Sequence, residues 1–336
     1  MNDRIAATMP PVPHVEVVGR VDGRCPGCGK TGDHTALRVP GDPGPDRELF
    51  AYGLCDACGT LFLDEPIDPS QFYGPNYYSH HAPPPASALK TKAMTARNIV
   101  TLFAPAAISR AMGRVSEHPT LPCLRPVIHG EVSRAFGRDA RWIDIGCGHG
   151  ALLKTLKAAG FRNLTGADPF MVAESHEPGL RLLRSDGISL SEQFDVVMMQ
   201  SSLEHVLDPD AVLSGLHRIL APGGVVLIRI PIISSYAWRT YGGEWGNLDA
   251  PRHVTLWSQS GFEAAAARNG WKVARAACDG YMRGITSSEA RLIGESEHFG
   301  KVNRLFTRSQ LRTWKKLAAD LNRSGQADEL AFYLTA

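Results

Sequence analysis

The stretch Trp142-Ile143-Asp144-Ile145-Gly146-Cys147-Gly148-His149-Gly150 constrains this chain more than any other. A short apolar run ending in an acid stands directly before three alternating glycines, and a helix-forming segment, Ala151–Ala159, follows at once. Such a run reads as a buried strand. Glycines at the turn let the backbone approach a ligand closely, and the helix N-terminus presents unpaired N–H groups to it. A nucleotide-like ligand is implied. The loop alone does not choose among such ligands, because Gly146-x-Gly148-x-x-Ala151 also fits the relaxed dinucleotide fingerprint.

From Arg141 onward the pattern alternates. Strands are expected at Trp142–Ile145, Leu164–Asp168, Leu180–Arg184, Phe194–Met199 and Val225–Ile230, with helices at Ala151–Ala159 and Asp210–Leu220. This order predicts an α/β fold, a doubly wound parallel sheet with helices on both faces. A long connection, Pro231–Trp257, interrupts it. A helix (Gln259–Asn269), a strand (Trp271–Ala277), a less regular stretch, a helix (Val302–Asn322) and a closing strand (Glu329–Thr335) complete the chain. Upstream, His14–Val18, Glu48–Tyr52 and Thr60–Leu63 read as short strands of a small β-rich module that ends in aromatics including Tyr73, Tyr77 and Tyr78. Pro83-Pro84-Pro85 marks a stiff linker, and helices at Ser87–Met112 and Pro126–Phe136 bridge to the sheet. A length of 336 residues suits about two domains. The expected division is a module at 1–79, a linker with bridging helices at 80–137, and the main domain at 138–336 with 231–257 as a lid.

Seven cysteines are present, and Cys25-x-x-Cys28 and Cys55-x-x-Cys58 each precede a glycine and stand 26 residues apart. Two residues between cysteines let both thiolates reach one tetrahedral ion, and the glycine permits the tight turn beneath them. Two such knuckles make a closed four-sulfur site, which predicts a structural zinc ribbon rather than a disulfide framework. A reducing compartment follows. The N-terminus lacks the apolar core of a signal peptide, and the longest apolar run, 225–233, is far below the roughly 20 residues of a membrane span. A cytoplasmic protein without membrane contact is expected.

Three further motifs stand in order after the glycine loop. Asp168 ends the next strand, where a carboxylate can accept from both hydroxyls of a ribose. Gln200-Ser201-Ser202-Leu203-Glu204-His205 ends the fourth strand, and the turn Ala221-Pro222-Gly223-Gly224 introduces the fifth. Together with the glycine loop, these resemble the class I S-adenosylmethionine-dependent methyltransferases, especially the large group acting on small molecules, over residues 140–270. The resemblance implies a seven-stranded Rossmann-like sheet whose antiparallel last strand inserts beside the fifth. It also implies that Asp144, Gly146, Gly148 and Gly150 surround the methionine part of the cofactor and that Asp168 binds its ribose. Asp186 would lie beside the adenine, and Gln200 and Ser201 under the sulfonium. The order of zinc ribbon, Tyr-Tyr segment and methyltransferase domain is loosely similar to the sugar C-methyltransferases, without their further C-terminal domain.

On the acceptor side, the long connection carries Tyr236, Trp238, Tyr241, Trp245 and Trp257, which either stack on a substrate or pin the loop. His205 and His253 are the candidate catalytic bases, because imidazole titrates near neutrality. Glu204 reads as structural or metal-proximal, Cys147 as a packing residue and His149 as a backbone contact. The last helix sets Lys301, Arg304, Arg308, Arg312, Lys315 and Lys316 opposite an apolar stripe, a face where a carrier protein or other partner would dock. The net charge of +2, with five basic and nine acidic residues in 15–65, argues against a nucleic-acid role for the ribbon. The expected function is methyl transfer to a small metabolite, a sugar or a biosynthetic intermediate. The alternatives are an RNA methyltransferase and a non-catalytic cofactor-binding assembly protein.

Overall fold

A computed structural model describes residues 12–43, 47–65, 68–72, 87–115, 120–295 and 302–336. Tyr73, Tyr77, Tyr78, the triple-proline segment and Lys301 lie outside the described residues.

The main sheet has eight strands. β5 (Arg141–Ile145), β6 (Asn163–Ala167), β8 (Leu180–Leu183), β9 (Phe194–Gln200) and β10 (Leu220–Pro231) are parallel. β13 (Glu329–Thr335) runs antiparallel between β10 and β12 (Lys272–Cys278), so the last strand inserts beside the fifth as expected. The order is β12-β13-β10-β9-β5-β6-β8-β7. The eighth strand, β7 (Ser175–Glu177), is a short antiparallel edge on β8 that the seven-strand expectation did not include. β9 (Phe-Asp-Val-Val-Met-Met-Gln) and β10 bury both faces, which is why they read as continuous apolar runs rather than alternating ones.

Alternate side chains feed two cores. Ile143, Val197, Met199, Ile228 and Phe332 pack against α5 (Pro209–Ile219) and α7 (Gln259–Arg268) on one face. Trp142, Val196, Met198, Leu227 and Tyr333 pack on the other against α1 (Ala88–Phe103), α3 (Arg125–Ile128) and α4 (Ala151–Ala158).

Several helices differ from their expected bounds, each for a local reason. The stretch Ser87–Met112 is two helices, α1 and α2 (Ala106–Val115), because Pro105 has no N–H and forces Ala104 into extended backbone. α3 stops at Ile128 rather than Phe136, with Gly130 in the left-handed region just beyond. The stretch read as irregular holds α8 (Met282–Leu292), whose buried face mixes Ile285 and Ala290 with Gly284, Thr286, Ser287 and Ser288 and so gives only a weak apolar signal. Val302–Arg304 is a separate 3-10 turn, and α9 (Arg308–Ser324) begins at a capping box between Thr307 and Gln310.

The N-terminal sheet is β1 (Glu16–Arg24), β2 (Thr31–Pro40), β3 (Leu49–Leu54), β4 (Leu61–Leu63) and β11 (Thr255–Leu256), in that order. β2, its longest strand, was not expected, since Gly32, Asp33 and Pro40 mask it. β11 belongs to the long connection, so the main chain of 231–257 completes the sheet of the cysteine module. That connection is a packed wall. α6 (Tyr236–Tyr241) runs through it, and Trp238, Tyr241, Trp245 and Trp257 are buried, so these rings serve the core rather than a solvent-facing stacking surface. The first three join Leu37, Val39, Phe50, Tyr52 and Leu61 of the ribbon in one cluster.

Polar contacts extend the same seam. Tyr52 Oη donates to the His253 carbonyl at 2.8 Å, and Leu63 N–H donates to the Val254 carbonyl at 2.8 Å. Arg268 of α7 donates to the carbonyls of Pro26 and Gly27 in the first knuckle, and Ser260 Oγ donates to the Cys58 carbonyl in the second. Tyr52→Phe leaves the buried ring in place and the His253 carbonyl short of a donor. The expected loss is about 1–3 kcal/mol, read as a lower midpoint in denaturant unfolding; an unchanged midpoint would show that the bond adds nothing.

Candidate functional site

Doubly wound sheets bind ligands outside the carboxyl ends of their strands, where the strand order reverses. Here the reversal lies between β5 and β9, and the loop 146–150 leaves β5 at that point. Gly146, Gly148 and Gly150 all have positive φ, at 77°, 54° and 75°. A Cβ on Gly146 would stand 2.5 Å from Ser202 Cβ, so this turn admits only glycine. Asp168 ties the loop down. Its carboxylate accepts from Gly148 N–H at 2.9 Å and from Phe170 N–H at 2.9 Å. Cys147 is half-buried with its thiol pushed up by burial, then by Asp144 and Asp168, as befits a packing residue.

Asp144 is 3% exposed, and its Oδ1 has no hydrogen-bond partner among the described residues. Burial, with Asp168 adding to it, pushes its carboxyl up to about 8. A buried acid lacking a partner beside an open glycine cradle suits a ligand that brings positive charge. Ser201, at φ 51°, and Ser202, whose Oγ donates to the Ile145 carbonyl at 2.9 Å, carry the chain from β9 across the mouth of this cradle. Gln200 sits half-buried at the end of β9. Asp186 differs from the others. It is exposed, and its carboxylate accepts from Ser189 N–H at 2.9 Å and from Ser189 Oγ at 2.7 Å, so it closes its own turn.

The second group of site residues lies at the ends of β9 and β10. Val254 N–H donates to the Glu204 carbonyl at 2.8 Å, which lays the turn Leu203–His205 alongside His253. The His205 and His253 rings meet edge to face at 4.6 Å. His205 Nδ1 faces the Arg252 carbonyl at 3.0 Å, and His253 Nδ1 faces the Asn247 carbonyl at 2.8 Å. A carbonyl can only accept, so each Nδ1 carries the proton and each Nε2 the lone pair. Burial, then the neighbouring His253, lowers His205 to about 3, and burial lowers His253 as well, so both rings are neutral at pH 7.

Around them stand several acids, of which the sequence singled out Glu204 as structural or metal-proximal. Glu204 is fully buried, neither oxygen has a hydrogen-bond partner among the described residues, and burial pushes its carboxyl up to about 8. Asp249 Oδ2 lies 3.7 Å from His253 Nε2 and pairs with Arg252, and despite burial these neighbours hold its carboxyl low. Arg252 also reaches Asp42 of the ribbon at 3.0 Å. Beside this group Arg229 is buried between Asp279, at 2.7 Å, and Glu329. Asp249 stands within the segment that brought His253 to attention, whereas Asp279 and Glu329 only become neighbours when β13 inserts between β10 and β12.

The four cysteines converge. Cys25 Sγ and Cys58 Sγ are 3.6 Å apart, Cys28 Sγ and Cys55 Sγ are 3.6 Å apart, and all four sulfurs lie within 4.8 Å of one another with no disulfide. A zinc tetrahedron with bonds of about 2.3 Å has edges of about 3.8 Å, so this set fits the ion. The knuckles are built alike. Gly29 N–H donates to Cys25 O at 2.9 Å and Gly59 N–H to Cys55 O at 2.7 Å, and both glycines have φ 76°.

Comparison with known proteins agrees with the sheet and its loops. A methyltransferase-domain family profile matches residues 124–276. The ubiquinone biosynthesis O-methyltransferase of Cereibacter sphaeroides is 30% identical over 166 residues, spanning 42% of this chain and 66% of its own length. The protein of the same name from Pseudomonas syringae pv. tomato is 34% identical over 149 residues, 39% of this chain and 63% of its own. These matches span just under two thirds of the relatives' length. An S-adenosylmethionine-dependent methyltransferase structure from Mesorhizobium loti, 18% identical, covers 65% of this chain and 97% of its own at a TM-score of 0.40. The glycine loop after β5 and the acid after β6 lie within the residues that match, so 124–276 are a methyltransferase domain.

Proposed function

We propose that the protein transfers a methyl group from S-adenosylmethionine to a small-molecule acceptor, a sugar or another biosynthetic intermediate. The observation that carries this reading is Asp144, buried without a partner for Oδ1 at the mouth of a glycine cradle. The cofactor is a cation at both its sulfonium and its amino group, and when bound it supplies an electrophilic methyl. Asp144 and the loop 146–150 hold its methionine end, Asp168 its ribose, and Gln200 and Ser201 the floor beneath the sulfonium. Asp186 shapes the adenine side through its turn.

Methyl transfer by in-line displacement depends mainly on alignment. The acceptor side is formed by the turn 203–205 and the segment 249–254, with His205 and His253 turning neutral, lone-pair-bearing imidazoles toward a polar acceptor. The four cysteines hold a structural zinc that fixes the ribbon, and through β11 the ribbon fixes His253. A thiolate zinc site suits a reducing compartment such as the cytoplasm. Among the described residues no helix is long and apolar enough to cross a membrane.

Two measurements test the cofactor half. Asp168→Ala removes the anchor of the glycine loop as well as the ribose contact, and should weaken S-adenosylmethionine binding roughly ten- to a hundredfold by calorimetry; near-normal affinity would overturn the placement. The pH dependence follows from Asp144. A cationic ligand favours the ionised carboxylate, whose pKa without ligand is about 8. Affinity should therefore rise with pH up to that value and then level off, with proton release on binding at pH 7. Asp144→Asn should bind more weakly and lose the slope; a slope that survives the substitution would remove Asp144 from the account.

The zinc reading has its own test. Metal analysis of the purified chain should find zinc that Cys55→Ser reduces by one equivalent, together with a lower unfolding midpoint. An unchanged zinc content would exclude the four-cysteine centre.

A further inference from the structure

We propose that Glu204, His205 and His253 form a second metal site, separate from the four cysteines, that takes a divalent first-row transition cation such as zinc. One ligand atom from each of the three lies within 4.8 Å of the other two. Two imidazoles and one carboxylate are a donor set suited to that group of ions rather than to magnesium or calcium, which prefer oxygen. Bonds of about 2.0–2.2 Å place neighbouring ligand atoms roughly 3 Å apart, so side-chain shifts on the order of an ångström close the site around an ion.

Glu204 is the observation that points to a ligand. It is fully buried and neither oxygen is hydrogen-bonded among the described residues. Protonation does not resolve this, because a neutral carboxyl there would bury an unpaired O–H as well as an unpaired carbonyl. Its nearest imidazole nitrogen, His253 Nε2, is 3.9 Å away, beyond hydrogen-bond distance. Arg252 and Arg229 are engaged elsewhere, by Asp249 with Asp42 and by Asp279 with Glu329. A divalent ion supplies both the missing partner and the missing charge.

The imidazoles are prepared for the same role. Each holds its proton on Nδ1 against a backbone carbonyl, at 3.0 Å for His205 and 2.8 Å for His253, which fixes the tautomer and makes Nε2 the ligating atom. Donation of the second ring nitrogen to a carbonyl is the usual support of a metal-ligating histidine. Asp249, 3.7 Å from His253 Nε2, stands close enough to orient that ring. With an ion in place, the two histidines would hold an acceptor's oxygen through the metal's open positions instead of serving as proton acceptors themselves.

Equilibrium dialysis of the full chain against buffered zinc, followed by metal analysis, tests this. The wild-type chain should hold two equivalents, and Glu204→Gln and His253→Gln should each hold one, with the second equivalent weakened by roughly tenfold or more. Zinc X-ray absorption of Glu204→Gln should then show a sulfur shell alone, whereas the wild type shows sulfur mixed with nitrogen and oxygen. A single equivalent in the wild type, or a second one that both variants retain, would overturn the proposal, and the wild-type stoichiometry decides even if a variant fails to fold. Titrating S-adenosylmethionine into the same wild-type sample keeps the two readings apart. Failure to bind it would sink methyl transfer and leave the metal count standing.

Discussion

One segment, residues 249–258, a turn that runs into the short strand β11, holds the molecule together. Its backbone is bound on one side by the ribbon, through Tyr52, Leu63 and the β4–β11 pairing, and on the other by the Glu204 carbonyl at the end of the main sheet. Backbone hydrogen bonds of this kind fix both position and register, so His253 cannot move without disturbing two sheets. Trp257 then buries its ring against Phe262 of α7, which in turn packs on Phe332 of β13. The seam between the cysteine module and the sheet is therefore a core with its own aromatic filling.

That seam explains the distribution of buried charge. Arg229, Asp249, Arg252, Asp279, Arg291 and Glu329 are linked across segments far apart in sequence, and most of their partners are also largely sheltered. Such pairs cost desolvation and add little net stability, but removing one partner strands the other. Their geometric effect is larger than their energetic one. Arg252 spans Asp249 and Asp42, so the ribbon is read directly at the residue preceding His253. Asp144 and Glu204 are the exceptions, acids at the functional end of the sheet with oxygens that the described protein does not satisfy. These two are the carboxylates that the proposed cofactor and metal sites engage.

The sequence made the cofactor half legible because that half is local. A strand, a glycine turn and a helix follow one another within residues 142–159, and Asp168 lies one strand later. Periodicity, turn chemistry and spacing all act over such distances. The knuckles were legible for the same reason, since each Cys-x-x-Cys pair and its glycine turn are defined within five residues. What escaped were features set by tertiary contact. β2 carries Gly32, Asp33 and Pro40 yet pairs along both edges, with β1 and β3. α8 buries Ser287, Ser288 and Gly284 beside Ile285 and Ala290, so its apolar stripe is too thin to announce it. The aromatics of 236–257 were legible as important but not as buried, because the ribbon surface that covers them is some 200 residues away in sequence.

The two halves of the site thus obey different constraints. The glycine cradle is built by the sheet's own βα loops, with Asp168 and Ser202 as its anchors. The acceptor end is assembled from the turn 203–205, the segment 249–254 and the ribbon, three pieces whose alignment depends on the four cysteines through Arg268, Ser260 and the shared strand. In the function proposed above, the residues assigned to the cofactor belong to the sheet, whereas those assigned to the acceptor side are held by contacts with the ribbon.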